Sequence, residues 1–230
     1  LLSGFFVDSS VQNPKDIPGE PVPPPHVAVA SSRLSASGLR AHFARAPQWQ
    51  PESRAEPLLK PGTEPRDAAV LMALVPREEL MLVLTQRPVG MAAHGGQVAL
   101  PGGKVDPGDV SAVAAALREA HEEIGLQPQQ AEVLGALPTY LTGTGFRVTP
   151  VVALVSGQAR WQPHPREVDE VFEVPMSHLM NPAHHFRHAY LPTGVPRAWW
   201  SMPYQDGTRE RFIWGATAGM LRNLYRYLLA

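Results

Sequence analysis

The chain contains no cysteine. That excludes a disulfide scaffold, a thiolate metal site and a cysteine nucleophile, and it fits a reducing, cytoplasmic setting. No apolar run reaches the roughly 18 residues that a membrane-crossing helix needs, so no membrane partner is expected. The opening stretch, LLSGFFVDSS, has neither a Met nor the basic region of a signal peptide. Charge is scarce as well. Charged residues make up 18% of the 230, and the formal net charge is −1. So balanced a chain projects no field toward nucleic acid or a membrane surface. An anionic ligand must be handled locally, with metal as the expected counter-charge. A hydrophobic content of 44% is that of an ordinary globular protein long enough to bury a good core.

Proline is abundant instead. Pro14, Pro18, Pro21, Pro23, Pro24 and Pro25 forbid a regular helix or central strand over residues 12–25. The segment reads as an extended arm, disordered or laid along a surface. A plain tail explains it without a proline-binding partner. Residues 31–46 suggest a short helix with apolar points Leu34, Leu39 and Phe43, and 47–66 return to proline-studded loop. The expected division is an arm, 1–66, and a compact domain, 67–230.

Within the domain, DAAVLMALV (67–75) and LMLVLTQR (80–87) read as buried strands joined in a hairpin. Val110 to Ile124 reads as a helix with Val110, Val113, Leu117 and Ile124 on one side, capped by Asp109 and ended by Gly125. Strands are expected at 131–138, 147–155, 170–174 and 211–213, a helical turn at 176–180 and a closing helix over 215–229. No internal repeat is apparent. The pattern implies a mixed sheet flanked by helices, an α/β (α+β) fold.

Glu119, Glu122 and Glu123 crowd the end of the predicted helix. They span about 100° of arc. Each like-charged i,i+4 pair costs a few tenths of a kcal/mol. They also sit where the helix dipole prefers cations. Arg118 and His121 lie roughly 100° to either side and cannot neutralise three carboxylates. A solvated acidic face is the bland reading; a divalent cation shared with phosphate is the functional one. Upstream, Pro101-Gly102-Gly103 follows the strand-like Gln97-Val98-Ala99-Leu100. Paired glycines let backbone approach a ligand or take positive φ. Either feature alone is ordinary; joined to R-E-x-x-E-E-x-G, the pattern becomes specific.

Gly103 through Leu126 resembles the Nudix box, the signature of hydrolases that split a nucleoside diphosphate linked to another group. Its usual form is G-x5-E-x7-R-E-U-x-E-E-x-G-U, with U a large aliphatic. Gly103, Arg118, Glu119, Glu122, Glu123, Gly125 and Leu126 match. Asp109 stands where the first Glu is usual, the loop is one residue longer, and Ala120 replaces the aliphatic. A loop absorbs the extra residue cheaply and the glutamate spacing is kept. Residues 82–103, LVLTQRPVGMAAHGGQVALPGG, are similar to the stretch that accompanies the box in coenzyme A pyrophosphatases, with Leu100 for the usual Phe. The closing I-W-G-A-T-A (213–218) resembles the same subfamily. The likeness covers about residues 67–229.

The resemblance implies a Nudix-type α/β/α sandwich with a mixed β-sheet. It implies metal-dependent hydrolysis of the pyrophosphate bond of coenzyme A or its derivatives, with another nucleoside diphosphate derivative (ADP-ribose, a sugar or a dinucleotide) or a non-catalytic nucleotide-binding module as alternatives. Glu119, Glu122 and Glu123 would bind Mg²⁺ or Mn²⁺, and a carbonyl of Gly102 or Gly103 would complete the shell. Arg118 would orient a glutamate. The general base stays open between Glu119 and Glu122 in the box and Glu167 and Glu170 in the loop PREVDEVFEVP. Arg87, His94, Gln97, Gly102 and Gly103 would face substrate. Thr139 to Phe146 reads as a substrate-facing loop or a polar hairpin turn. His184, His185 and His188 lack an acidic companion and do not read as a metal site. A homodimer is expected on analogy only.

Overall fold

The structure, a computed structural model, describes residues 13–25, 27–52, 64–90, 95–190 and 197–230. In chain order its elements are β1 (Gly19–Pro21), α1 (Ala36–Arg45), β2 (Arg66–Pro76), β3 (Leu80–Gln86), β4 (Val98–Ala99), β5 (Gly102–Lys104) and α2 (Ala112–Ile124). There follow β6 (Ala131–Ala136), β7 (Tyr140–Leu141), β8 (Phe146–Val155), β9 (Glu170–Pro175), α3 (Met176–Leu179), β10 (Phe186–Tyr190), β11 (Arg197–Asp206), β12 (Arg209–Trp214) and α4 (Gly215–Leu229).

The long apolar runs become the middle of a mixed sheet with strand order β4-β3-β2-β8-β6, in which β5 also pairs with β2, β7 with β8 and β9 with β3. Strands β2 and β3 form the expected antiparallel hairpin, while β2 runs parallel to β8. A strand covered on both faces has no polar side, and β2 divides its residues with period two. Ala69, Leu71, Ala73 and Val75 face one core, and Ala68, Met72 and Leu74 face the other.

On the first face lies α2, through Ala115, Ala116, Ala120 and Ile124. Its alanines let the helix sit close to the sheet, so Ala120 in place of a large aliphatic is a fully buried contact. Ile124 alone, fully buried, is worth about 2–3 kcal/mol in apolar area. The helix begins two residues later than expected. Ser111 is the N-cap, its hydroxyl accepting from the Ala114 N–H at 3.1 Å. Val110 therefore leaves the packing face and is 94% exposed. Asp109 does not cap, because Arg118 holds it. Gly125 ends the helix at φ 71°.

The second face carries α4 and an antiparallel sheet with order β1-β10-β11-β12. Among the described residues, parts of the expected arm pack here. Gly19–Pro21 adds to β10 at the sheet edge, where prolines are tolerated. Val29 and Leu39 are buried in the same core as α4, and Glu52 pairs with Arg222 and Arg226. Pro57 and Pro61 lie outside the described residues. The histidines are structural: His185 meets the Leu179 carbonyl and Arg222, His188 meets the Ile17 carbonyl and Ser201, and His184 stacks on His178. Burial holds the His185 imidazole down at about 4. Thr142 closes the turn between β7 and β8 through its backbone and hydroxyl. Among the described residues no helix is long and apolar enough to cross a membrane.

Candidate active site

The site is built where β5 passes the C-terminal half of α2. Gly102, at φ 155°, is pressed so closely on β2 that a Cβ would lie 2.4 Å from the Ala69 carbonyl oxygen. Only glycine fits there. Its N–H donates to the Glu123 carboxylate at 3.1 Å. At Gly103 a Cβ would lie 2.5 Å from the Glu119 carboxyl carbon, so the missing side chain is the space Glu119 occupies. Two adjacent glycines thus serve two different glutamates.

The three glutamates part company. Glu123 is 4% exposed, and Glu119 is turned inward with it, whereas the Glu122 side chain is 53% exposed. Arg118 stands among the acids as a fork. Its Nε and Nη2 grip Asp109 at 3.0 and 2.9 Å, its Nη1 reaches Glu119 and Glu122 at 3.0 Å each, and Nη2 also meets the Lys104 carbonyl. The fork holds the Asp109 carboxyl below its usual range. His121 turns away to the Leu126 carbonyl. One arginine therefore ties Asp109, Glu119 and Glu122 together without neutralising them, and it makes no bond to Glu123.

Glu123 is the group left in need of a cation. Burial above all pushes its carboxyl up to about 7; Glu119 and Glu167 push the same way, against the Gly102 N–H and the field of Arg87. Burial likewise raises Glu119, outweighing Arg118. Such a pair of hard oxygen donors beside backbone carbonyls suits Mg²⁺ or Mn²⁺. Among the described residues no three acidic or imidazole side chains form a ready cage.

Glu167 is brought to the site by backbone. The Gln162 and His164 N–H groups donate to the carbonyls of Ile124 and Glu123, and those of Glu167 and Val168 both donate to the His164 carbonyl. The loop is thereby fastened to the end of α2, and the Glu167 charge acts on both Glu119 and Glu123. Glu170 goes elsewhere. Its carboxylate is gripped by Arg211 at 2.6 and 2.8 Å and by Arg209 at 2.6 Å, which hold it below its usual range.

Arg87 follows β3, its N–H bonded to the Gln97 carbonyl and its own carbonyl to the Gly96 N–H. Its Nε is buried and has no hydrogen-bond partner among the described residues. A buried cationic donor without an acceptor is costly, and an arriving anion would satisfy it. His94 lies outside the described residues. Sequence reasoning gave one residue the wrong role and missed another. Asp109 proves to be the partner of Arg118, a role signalled by its place at the first acidic position of the box. His164 proves to be the backbone hub of the Glu167 loop, signalled only by its flanking prolines, Pro163 and Pro165.

The fold and this arrangement of acids define a hydrolase that works on phosphate anhydrides. Residues 64–193 match the NUDIX domain, and the chain belongs to that family: it is a Nudix pyrophosphohydrolase acting on a nucleoside diphosphate derivative. It is 43% identical over 159 residues to the uncharacterized Nudix hydrolase NudL of Enterobacter sp. (strain 638), covering 69% of this chain and 81% of that protein. NudL of Salmonella paratyphi B (strain ATCC BAA-1250 / SPB7) matches at 43% over 160 residues, with the same coverage of 69% and 81%. Among solved structures, the Nudix hydrolase RenU of M. smegmatis is 28% identical, with a TM-score of 0.42 over 49% of this chain and 71% of that one.

Proposed function

We propose that the substrate is coenzyme A or an acyl derivative, cleaved at its pyrophosphate to adenosine 3′,5′-bisphosphate and 4′-phosphopantetheine or the acylated form. The observation that carries this reading is the stretch 82–103. Its sequence resembles that of coenzyme A pyrophosphatases; within it the charge of Arg87 and the Gly102 N–H act on Glu123, and Gly103 leaves room for Glu119.

Glu119 and Glu123 would hold Mg²⁺ or Mn²⁺, with a Gly102 or Gly103 carbonyl, and Glu122 through water. When bound, the ion neutralises phosphate charge and lowers the pKa of water. The chain does the rest. Arg118 keeps Glu119 and Glu122 apart and oriented. Arg87 gives its unsatisfied Nε–H to a diphosphate oxygen. Glu167, whose charge acts on Glu119 and Glu123, would accept a proton from the attacking water. The water oxygen forms the new bond to phosphorus, and the bridging oxygen leaves with its electron pair on the other phosphate.

Turnover of coenzyme A, ADP-ribose and a dinucleotide with Mg²⁺ tests the substrate. Coenzyme A is expected to be cleaved fastest; faster cleavage of ADP-ribose overturns the choice. Glu167→Gln is expected to lower kcat by roughly 10²–10⁴-fold, as for loss of a general base, and Glu170→Gln to leave it nearly unchanged. The opposite ranking removes Glu167 from its role.

A further inference from the structure

The C-terminal end of β3 is a place where the two faces of the main sheet meet. Gln86 and Glu170 are ladder partners, so their side chains share a face. It is the face of Leu84 and Phe172, beneath the second sheet. Arg87, one residue on, belongs to the other face, with the catalytic carboxylates. The Asp169 N–H donates to the Gln86 carbonyl at 2.8 Å, tying the crossing chain to this strand end. Between Glu167 on one side and Glu170 on the other lie two residues, three steps of chain spanning at most about 11 Å.

Two arginines of the β11–β12 hairpin reach Glu170 from the second sheet, and they differ. Arg211 is fully engaged: 3% exposed, bonded to Glu170 and Asp206, and stacked 4.1 Å from the Phe172 ring centre. Arg209 is not. Its side chain is 53% exposed and, among the described residues, its polar contact is Nη1 on Glu170. A guanidinium has five N–H groups. Glu170 therefore fixes where Arg209 points without saturating it.

We propose that Arg209 is a specificity-determining residue that binds a phosphate carried on the ribose of the substrate, across the strand end from the diphosphate. The inference rests on the coenzyme A reading. On that reading, a nucleotide with its diphosphate against Arg87 and Glu123 would have Arg209 across the strand end from it, because Glu170, with which Arg209 pairs, is the ladder partner of Gln86 there. A ribose phosphomonoester is a compact dianion, for which an arginine edge with parallel N–H groups is the best-matched side chain. Glu170, unsuited as a base because it is already ion-paired, acquires a function as the post that orients Arg209.

The test compares coenzyme A with dephospho-coenzyme A, which lacks only the ribose phosphate, on wild type, Arg209→Ala and Arg209→Lys with Mg²⁺. Arg209 is exposed, and a thermal melt checks that each variant is folded. Arg209→Ala is expected to raise KM for coenzyme A roughly tenfold, the worth of one charge-assisted bond, with kcat nearly unchanged. KM for dephospho-coenzyme A stays as in wild type, and Arg209→Lys falls between. A change of KM by the same factor for both compounds, or for neither, overturns the role of Arg209 while wild-type turnover of coenzyme A leaves the proposed function standing. If wild type cleaves neither compound, both fall.

Discussion

Replacing Glu123 by Gln isolates the cost of a buried charge, because the amide keeps the volume and an oxygen for the Gly102 N–H. In the metal-free protein the Glu123 carboxyl is pushed up from 4.5 to about 7, by burial first and by its acidic neighbours next. The folded state thus keeps its proton up to about pH 7, whereas the unfolded chain has released it by about pH 5. Across that window the unfolded state binds fewer protons, so stability falls as pH rises. At 1.36 kcal/mol for each pKa unit, the full penalty above pH 7 is about 3 kcal/mol. Metal-free Glu123→Gln should therefore be more stable than metal-free wild type by about 3 kcal/mol near pH 8, and indistinguishable from it near pH 5. For a chain of this length that is roughly 6–12 °C in Tm. Urea unfolding in EDTA at the two pH values reads it. Saturating Mg²⁺ should then raise wild type and leave the variant where it was, since binding to the folded state alone adds stability. A variant less stable than wild type near pH 8 in EDTA would show that the carboxylate is not under strain, and the case for a metal at this spot would go with it.

The glycines give a matched pair of expectations. Gly103→Ala displaces only the flexible end of Glu119, so the fold should survive while kcat drops by about 100-fold, the effect of misplacing a catalytic group by an ångström. Gly102→Ala meets the backbone of Ala69 and Val70 and should fail to give stable protein, which circular dichroism would show. Arg118→Lys keeps a charge but loses the two-pronged grip on Asp109. It should weaken Mg²⁺ binding or turnover by roughly 10–100-fold; calorimetry and kinetics indistinguishable from wild type would refute the orienting role.

What the sequence by itself determined was local. Period-two and period-3.6 patterns placed β2, β3, β8, α2 and α4, because side chains of one element must face one core. The spacing of Gly103, Arg118, Glu119, Glu122, Glu123 and Gly125 carried the family and the chemistry, since one helix and one turn hold all of them. Of the second sheet only β12 was legible, through the strand expected at 211–213. The sheet's proline-bearing first strand and the His-containing β10 have no apolar signature of their own and exist only through pairing with each other and with β11. Val110 matched the helical period but lies before the cap that Ser111 supplies. Tertiary structure also decided which acid became which. Helix geometry puts Glu122 and Glu123 about 100° apart, and only the approach of β5 buries one and leaves the other to Arg118. The same holds for Glu167 and Glu170, near neighbours in the chain that the end of one strand sends to opposite faces. Burial and charge balance depend on what the rest of the fold brings alongside, and no pattern within a single element records that.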